Sequence, residues 1–322
     1  IKAALAQEKR PDFTLAGYLP DYRSYDDIRK SAEILTDLIL FSIQPDLSKS
    51  VIGDETCCLG AEHYQKARDA RRKMNPSMNL LVSVGGGGRS NDFRHITETK
   101  ERRLKFIQDL KTLCLKEELN GVDFDWEQPT NQNEFISYMY LIVEASDVFH
   151  QNGLLITIAL HPRQFLPKQV YEYIDQVHLM TYDMIQKNGH HASYENAFAA
   201  VEALINNGCH PSKIIMGLPA YGRDKLNPSN VRTYSEALTV ENPKLKFNED
   251  TSSILENSSF GFDSQELILD KVKTGVHKKL GGFFIWEVGQ DFKNDFVGEG
   301  LMLRYVNDAI LKISTDGMTG EL

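Results

Sequence analysis

The stretch Asn120–Pro129, NGVDFDWEQP, sets three carboxylates at alternate positions of an otherwise apolar run. A β-strand sends residues i, i+2 and i+4 to one face, so Asp123, Asp125 and Glu127 are expected to point the same way. Gly121, Val122, Phe124 and Trp126 supply a strand-like setting, and Pro129 ends it. Three like charges on one face of a buried strand cost solvation and repulsion, so the arrangement asks for a compensating use.

Runs of the same apolar, β-rich kind recur on both sides of this one. They cover 12–20, 36–46, 78–88, 121–127, 154–162, 175–183, 213–222 and 281–289. Each reads as a continuous buried strand rather than an alternating one, as parallel sheets require. Helical spacing of apolar residues falls between them, over 61–74, 101–119, 133–150, 194–208 and 264–280, with Gly208 as a C-cap. Eight strands alternating with helices predict an α/β fold, a (β/α)8 TIM barrel. The competing doubly wound sheet calls for a Gly-rich first turn, which GYLPDYR at 17–23 lacks. The segment 223–262, rich in Asn, Ser, Pro and charge, reads as an elaborated loop. A single catalytic domain over 1–322 is therefore expected, with at most a reduced insertion after strand seven.

Composition narrows the partners. The 322 residues are 41% hydrophobic and 25% charged, an ordinary globular balance. A net charge of −9 and a pI near 5.5 argue against nucleic acid or an anionic membrane. No apolar run approaches transmembrane length. The chain starts at Ile1 with no signal-like segment, so a processed or trimmed N-terminus is expected. Cys57 and Cys58 are adjacent, Cys114 lies in a helical pattern and Cys209 just before His210-Pro211. Their spacing suggests no zinc site; buried or free thiols are the favoured reading, with any pairing left open. His161 and the pair His190-His191 invite a metal reading, but Glu195 alone completes no ligand set. They are read as solvated loop histidines, and neither metal nor cofactor is expected.

A barrel enzyme works at the carboxyl ends of its strands. Those ends carry Tyr18, Gln44, Ser83 with Gly85 to Gly88, Asp123 to Glu127, His161, Tyr182 with Asp183, Tyr221 with Arg223, and Trp286 with Glu287. VGGGGRS at 84–90 lacks the Lys-Ser/Thr of a phosphate loop and reads as close backbone packing, with Ser83 hydrogen-bonded inside the barrel. Glu127, last of the alternating carboxylates, is the candidate general acid. Desolvation by Trp126 and the charge of Asp125 are expected to raise its pKa. Asp123 and Asp125, one strand repeat apart, are expected to share a proton, or one to hold it.

A resemblance adds to this reading. GVDFDWE resembles the D-G-x-D-x-D-W-E signature of the family 18 glycoside hydrolases, the chitinases and their relatives. SVGG at 83–86 is similar to that family's S-x-G-G, LMTYD at 179–183 to its M-x-Y-D, and GLPAYGR at 217–223 and GGFFIWE at 281–287 to its last two strands. The resemblance implies a retaining chitinase that hydrolyses β-1,4 bonds between N-acetylglucosamine units of chitin or chito-oligosaccharides, with endo action expected and the substrate's 2-acetamido oxygen as nucleophile. It implies Glu127, Asp125, Asp123 and Tyr182 as catalytic residues, Asp125 orienting the acetamide N–H and Tyr182 donating to its carbonyl. Tyr18, Gly86, Trp126, Met180, Asp183, Tyr221, Arg223 and Trp286 would bind substrate, Trp286 as the apolar floor. A secreted monomer is expected, in which case the sequon Asn257-Ser258-Ser259 could carry a glycan. An endo-β-N-acetylglucosaminidase on N-glycans and a chitin-binding lectin are the alternatives; the lectin is disfavoured by the presence of Glu127. Asn120 departs from the motif's leading Asp, Gln128 from a frequent Tyr, Gly87 from a frequent Trp and Ile43 from a frequent aromatic. A shallow, open cleft follows from the shortened insertion.

Overall fold

The computed structural model describes residues 13–25, 28–46, 58–186, 189–241, 255, 257–291 and 301–319. Eight parallel strands close a barrel: β1 (Thr14–Pro20), β2 (Asp37–Ile43), β3 (Asn79–Gly85), β4 (Gly121–Asp125), β5 (Leu155–Leu160), β6 (Gln176–Leu179), β7 (Ile214–Pro219) and β11 (Gly282–Trp286). Every one falls inside a run expected from sequence. The strands are buried nearly end to end, which is why they read as unbroken apolar runs. Closure joins the two ends of the fold, since β1 pairs with β11 from Thr14 opposite Gly282 to Gly17 opposite Ile285.

The five expected helices are present as Ala61–Met74, Lys100–Lys116, Gln132–His150, Tyr194–Asn206 and Gln265–His277. Side-chain caps start four of them. Thr99, Asn131, Ser193 and Ser264 each accept the backbone N–H three residues on. The Tyr194–Asn206 helix ends on Gly208 at φ 104°, where only glycine is at ease. Gly208 N–H donates to Ile205 O at 2.9 Å and Cys209 N–H to Leu204 O at 3.2 Å, which satisfies the last turn. The helix Leu301–Thr319 was not expected, although Met302, Leu303, Val306, Ala309 and Ile310 are buried at helical spacing. Its first turn is fastened by Asp291, whose carboxylate accepts Met302 N–H and Leu303 N–H, both at 3.0 Å.

Two apolar compartments result. The outer one lies between strands and helices and holds Phe93, Phe106, Phe124, Phe149 and most of the aliphatic core. Each such side chain contributes on the order of 1.5–3 kcal/mol on burial. The inner one lines the barrel with Tyr18, Ile39, Phe41, Leu81, Tyr182 and Phe284. The segment after β7 forms a small antiparallel sheet, β10 (Phe260–Gly261), β8 (Tyr221–Asp224) and β9 (Val231–Thr233), with the helix Tyr234–Glu241. A third cluster, around Tyr234, Leu238, Phe260 and Phe262, packs it. This is the reduced insertion expected over 223–262, of which 242–254 and 256 lie outside the described residues.

Cys58 is disulfide-bonded, against the free-thiol reading, while Cys57 lies outside the described residues. Cys114 and Cys209 are free and buried, and burial pushes both thiols up to about 12. Among the described residues no helix is long and apolar enough to cross a membrane.

Candidate active site

Strand register builds the site from below. Ser83 pairs with Asp123 and Asp123 with Thr157, so β3, β4 and β5 aim one layer of side chains at the barrel axis. Asp123 is fully buried there. It accepts Tyr18 OH at 3.0 Å, Ser83 Oγ at 3.0 Å and Thr157 Oγ1 at 2.7 Å. The Tyr18 hydroxyl also lies 2.6 Å from His178 Nδ1, and His178 Nε2 3.0 Å from Gln176 Oε1. Burial lowers the His178 pKa, so this ring is neutral. The barrel floor is a closed polar network of the kind a buried carboxylate requires.

One repeat higher, Asp125 has a different setting. It is 3% exposed, and its Oδ1 is buried with no hydrogen-bond partner among the described residues. Burial first, then the charges of Glu127 and Asp123, raise its pKa well above the usual carboxylate range. Burial therefore favours the neutral form of Asp125. The glycine run explains how this group is reached. Gly86 N–H donates to Asp125 O at 2.6 Å, and Gly85 and Gly86 have φ near 100° and 90°. A Cβ on Gly85 would sit 2.3 Å from Asp125 O, and one on Gly86 2.2 Å from the Phe41 ring. Only glycine lets the two loops close on each other.

Glu127 stands at the mouth, its backbone N–H held by Ser90 Oγ at 3.1 Å. The side chain is exposed to the cleft, yet crowded by its walls. That partial desolvation, and then the Asp183 charge, raise its pKa. The second cause differs from the Asp125 charge expected from sequence. Asp183 keeps its own charge: hydrogen bonds from Arg223, His191 and Tyr221 outweigh its desolvation and hold its carboxyl well below the usual range. Arg223 reaches it through two nitrogens at 2.6 Å each, Tyr221 OH at 2.7 Å, and His191 Nδ1 lies 3.1 Å away. The buried Lys271 fastens the next turn, donating to Ala192 O at 2.5 Å and pairing with Asp263.

The cleft encloses about 340 Å³. Trp286 forms its floor, half-buried, with Phe41 edge-on at 4.8 Å and Tyr18 at 5.5 Å. Tyr182 points its hydroxyl into this space with no hydrogen-bond partner among the described residues, and burial holds it protonated as a donor.

Seven residues expected at the site line the cleft: Tyr18, Asp125, Glu127, Met180, Tyr182, Asp183 and Trp286. Asp123 lies beneath it, and Gly86, Tyr221 and Arg223 act through Asp125, Phe41 and Asp183 rather than at the surface. Trp126 stands away from the cleft. It points to the opposite face of the strand, is 3% exposed, and stacks on Phe93 at 5.0 Å and meets Tyr138 at 5.4 Å. Alternation sends it outward because Asp125 and Glu127 go inward. His161 is corrected, since it lines the cleft instead of standing in solvent. The pair His190-His191 is packed as well, their Nε2 atoms 3.2 Å from Phe262 O and Tyr221 O. Among the described residues no group of three or more His, Cys, Asp or Glu could hold a metal ion.

Tyr22, Phe41, Arg89 and Phe284 line the cleft without having been singled out. Phe41 sits two residues after the inward-facing Ile39, so alternation along β2 could have found it. Arg89 follows the glycine run and braces the rim, with Asp21 at 3.0 Å through both carboxylate oxygens and Ser42 O at 3.1 Å. Asn120, the departure from the fourth-strand motif, accepts Leu80 N–H at 3.0 Å and Arg71 at 2.9 Å at the base of β4, far from the chemistry.

Comparison with known proteins agrees with this geometry. Residues 14–291 match the model of glycosyl hydrolases family 18. The chain is 26% identical to the class V chitinase CHIT5a of Medicago truncatula, over 80% of each. It is 24% identical to a probable chitinase 2 of Drosophila melanogaster, over 74% of this chain and 60% of that protein. Its fold is similar to that of the chitinase ChiB of Flavobacterium johnsoniae, with a TM-score of 0.78 at 22% identity over 94% of both chains. The same holds for a Cycas revoluta chitinase in complex with (GlcNAc)3, at 0.75 and 21% over 92% of this chain and 99% of that one. With its barrel closed and its fourth-strand carboxylates in place, the chain belongs to family 18 of the glycosyl hydrolases, beside the chitinases it is similar to.

Proposed function

We propose that the protein is a retaining chitinase that cleaves β-1,4 bonds between N-acetylglucosamine units with the substrate's own acetamide as nucleophile. One observation carries the reading: the cleft offers an acid but no free nucleophilic carboxylate. A conventional retaining glycosidase needs an ionised partner about 5–5.5 Å from its acid. Burial disfavours an ionised Asp125, and Asp183 is committed to Arg223, Tyr221 and His191. What Asp125 does offer is one unpartnered buried oxygen, Oδ1, to accept an acetamide N–H. Tyr182 offers a free hydroxyl for the acetamide carbonyl.

In this reading Glu127 gives its proton to the glycosidic oxygen as the C–O bond breaks. The acetamide oxygen closes on the anomeric carbon while Tyr182 orients the acetamide and Asp125 Oδ1 accepts its N–H, and the carboxylate left on Glu127 balances the oxazolinium charge. Water then opens the ring from the face the leaving group vacated, and Glu127 takes its proton, so configuration is retained. Trp286 keeps the floor of the reacting sugar dry and apolar. Three short strands and a helix in place of a larger insertion favour an open groove and endo action. The disulfide at Cys58 fits an oxidising, extracellular setting.

The test is a pair of substrates. Chito-oligosaccharides are cleaved with retention, while cello-oligosaccharides of equal length, which lack the acetamide, stay intact. Cleavage of cellopentaose near the chitopentaose rate overturns the mechanism.

A further inference from the structure

Glu127 stands between two spaces. One is the cleft; the other is a polar hollow of about 200 Å³ on the side of the β3 and β4 loops. Ser90 and the edge of Trp126 form its base. Asn91, Arg94 and Gln128 stand on its rim, and none of the three hydrogen-bonds to a carboxylate among the described residues. Glu134 is also there, but its Oε2 is occupied by Thr130 N–H at 2.7 Å and Thr130 Oγ1 at 2.9 Å. The rim thus presents amide and guanidinium donors. Arg94 faces Glu134 and Glu127, so neither sign of charge is favoured. Gly87 leaves the passage open: a Cβ there would meet only Glu127 Oε2, at 3.8 Å.

The location decides which part of a substrate arrives there. Asp125, Tyr182 and Trp286, which hold the reacting sugar, all lie in the cleft. The hollow shares Glu127 alone with the lining of the cleft, so a group entering it hangs from the chain beyond the acid, on the leaving-oxygen side. In a β-1,4 chain of N-acetylglucosamine the hydroxyls left free on that sugar are O3 and O6. The space is smaller than the ~300 Å³ at which pockets enclose a drug-sized ligand, and suits one sugar ring.

Resting on the chitinase reading, we propose that this hollow is a branch pocket. It admits a single neutral sugar carried on O3 or O6 of the leaving-side N-acetylglucosamine, so that the enzyme cleaves substituted chains at the substituted residue.

The experiment compares kcat/KM for a linear chitotetraose with chitotetraoses bearing one neutral monosaccharide on O3 or O6 of the leaving-side residue. At least one branched substrate is cleaved next to its branch within a few-fold of the linear rate. Arg94→Ala combined with Gln128→Ala lowers that branched rate about tenfold, the scale of one or two lost hydrogen bonds, and leaves the linear rate unchanged. Intact linear cleavage with both branched substrates inert overturns the branch pocket alone. So does an equal loss on linear and branched substrates in the double variant. Failure to cleave linear chitotetraose overturns the chitinase reading itself.

Discussion

Asp123 and Asp125 occupy the same face of the same strand, and the protein treats them in opposite ways. At the floor, three hydroxyl donors surround Asp123 and leave it nothing to offer a ligand. One repeat higher, Asp125 is as deeply buried, is pushed toward its neutral form, and keeps one oxygen unpartnered. An unmet acceptor in a dry site costs of the order of 1–3 kcal/mol. The lower carboxylate joins strands that would otherwise splay; the upper one stores that cost until an acetamide meets it. Stability and chemistry are separated by a single strand repeat.

Substitutions can break the contrast. The largest effect belongs to the mouth: Glu127→Gln keeps size and polarity but cannot donate, and turnover falls roughly 10²–10⁴-fold with oligosaccharide binding and Tm retained. Residual activity close to wild type removes Glu127 from the mechanism. At the floor, Asp123→Ala strands the buried Ser83 and Thr157 hydroxyls and destabilises the fold by about 3 kcal/mol or more in denaturant titrations. Asp125→Ala, measured alongside, costs much less. Equal destabilisation by the two denies the division of labour.

Two finer changes sharpen it. The charge of Asp183 raises the pKa of Glu127, so Asp183→Asn lets Glu127 lose its proton at lower pH. The alkaline limb of the kcat/KM profile accordingly moves toward acid; a limb that stays put means burial alone sets the pKa. Trp126→Phe, on the outer face, trims a packed ring and costs about 1 kcal/mol of stability with KM unchanged. A raised KM places that ring at the substrate after all.

The barrel was legible because parallel strands buried on both faces spell themselves as apolar runs, and eight of them were found. Period-two alternation also placed Asp123, Asp125 and Glu127 correctly. Applied one residue over, the same rule sends Trp126 away from the acid, yet proximity in sequence made it look like a sugar contact. What could not be read was contact between distant segments. Nothing near Asp183 in sequence announces Arg223, and nothing near Glu127 announces that Asp183 supplies a charge it feels. His191 looked like a solvated loop residue because its partners, Asp183 and Tyr221, lie in different parts of the chain. The helix Leu301–Thr319 had the right spacing but lay beyond the last motif.

The seam between β1 and β11 has a bearing on synthesis. Thr14 to Gly17 cannot find their partners until Gly282 to Ile285 have been made, so the first strand of the barrel waits for nearly the whole chain. Until then β1 and β7 each carry an unpaired edge, the condition that invites pairing with a neighbouring molecule. Such long-range closure is slow by its topology. A ribosome stalled before Gly282, or a protease cutting there, therefore releases an open sheet with two adhesive margins instead of a smaller enzyme.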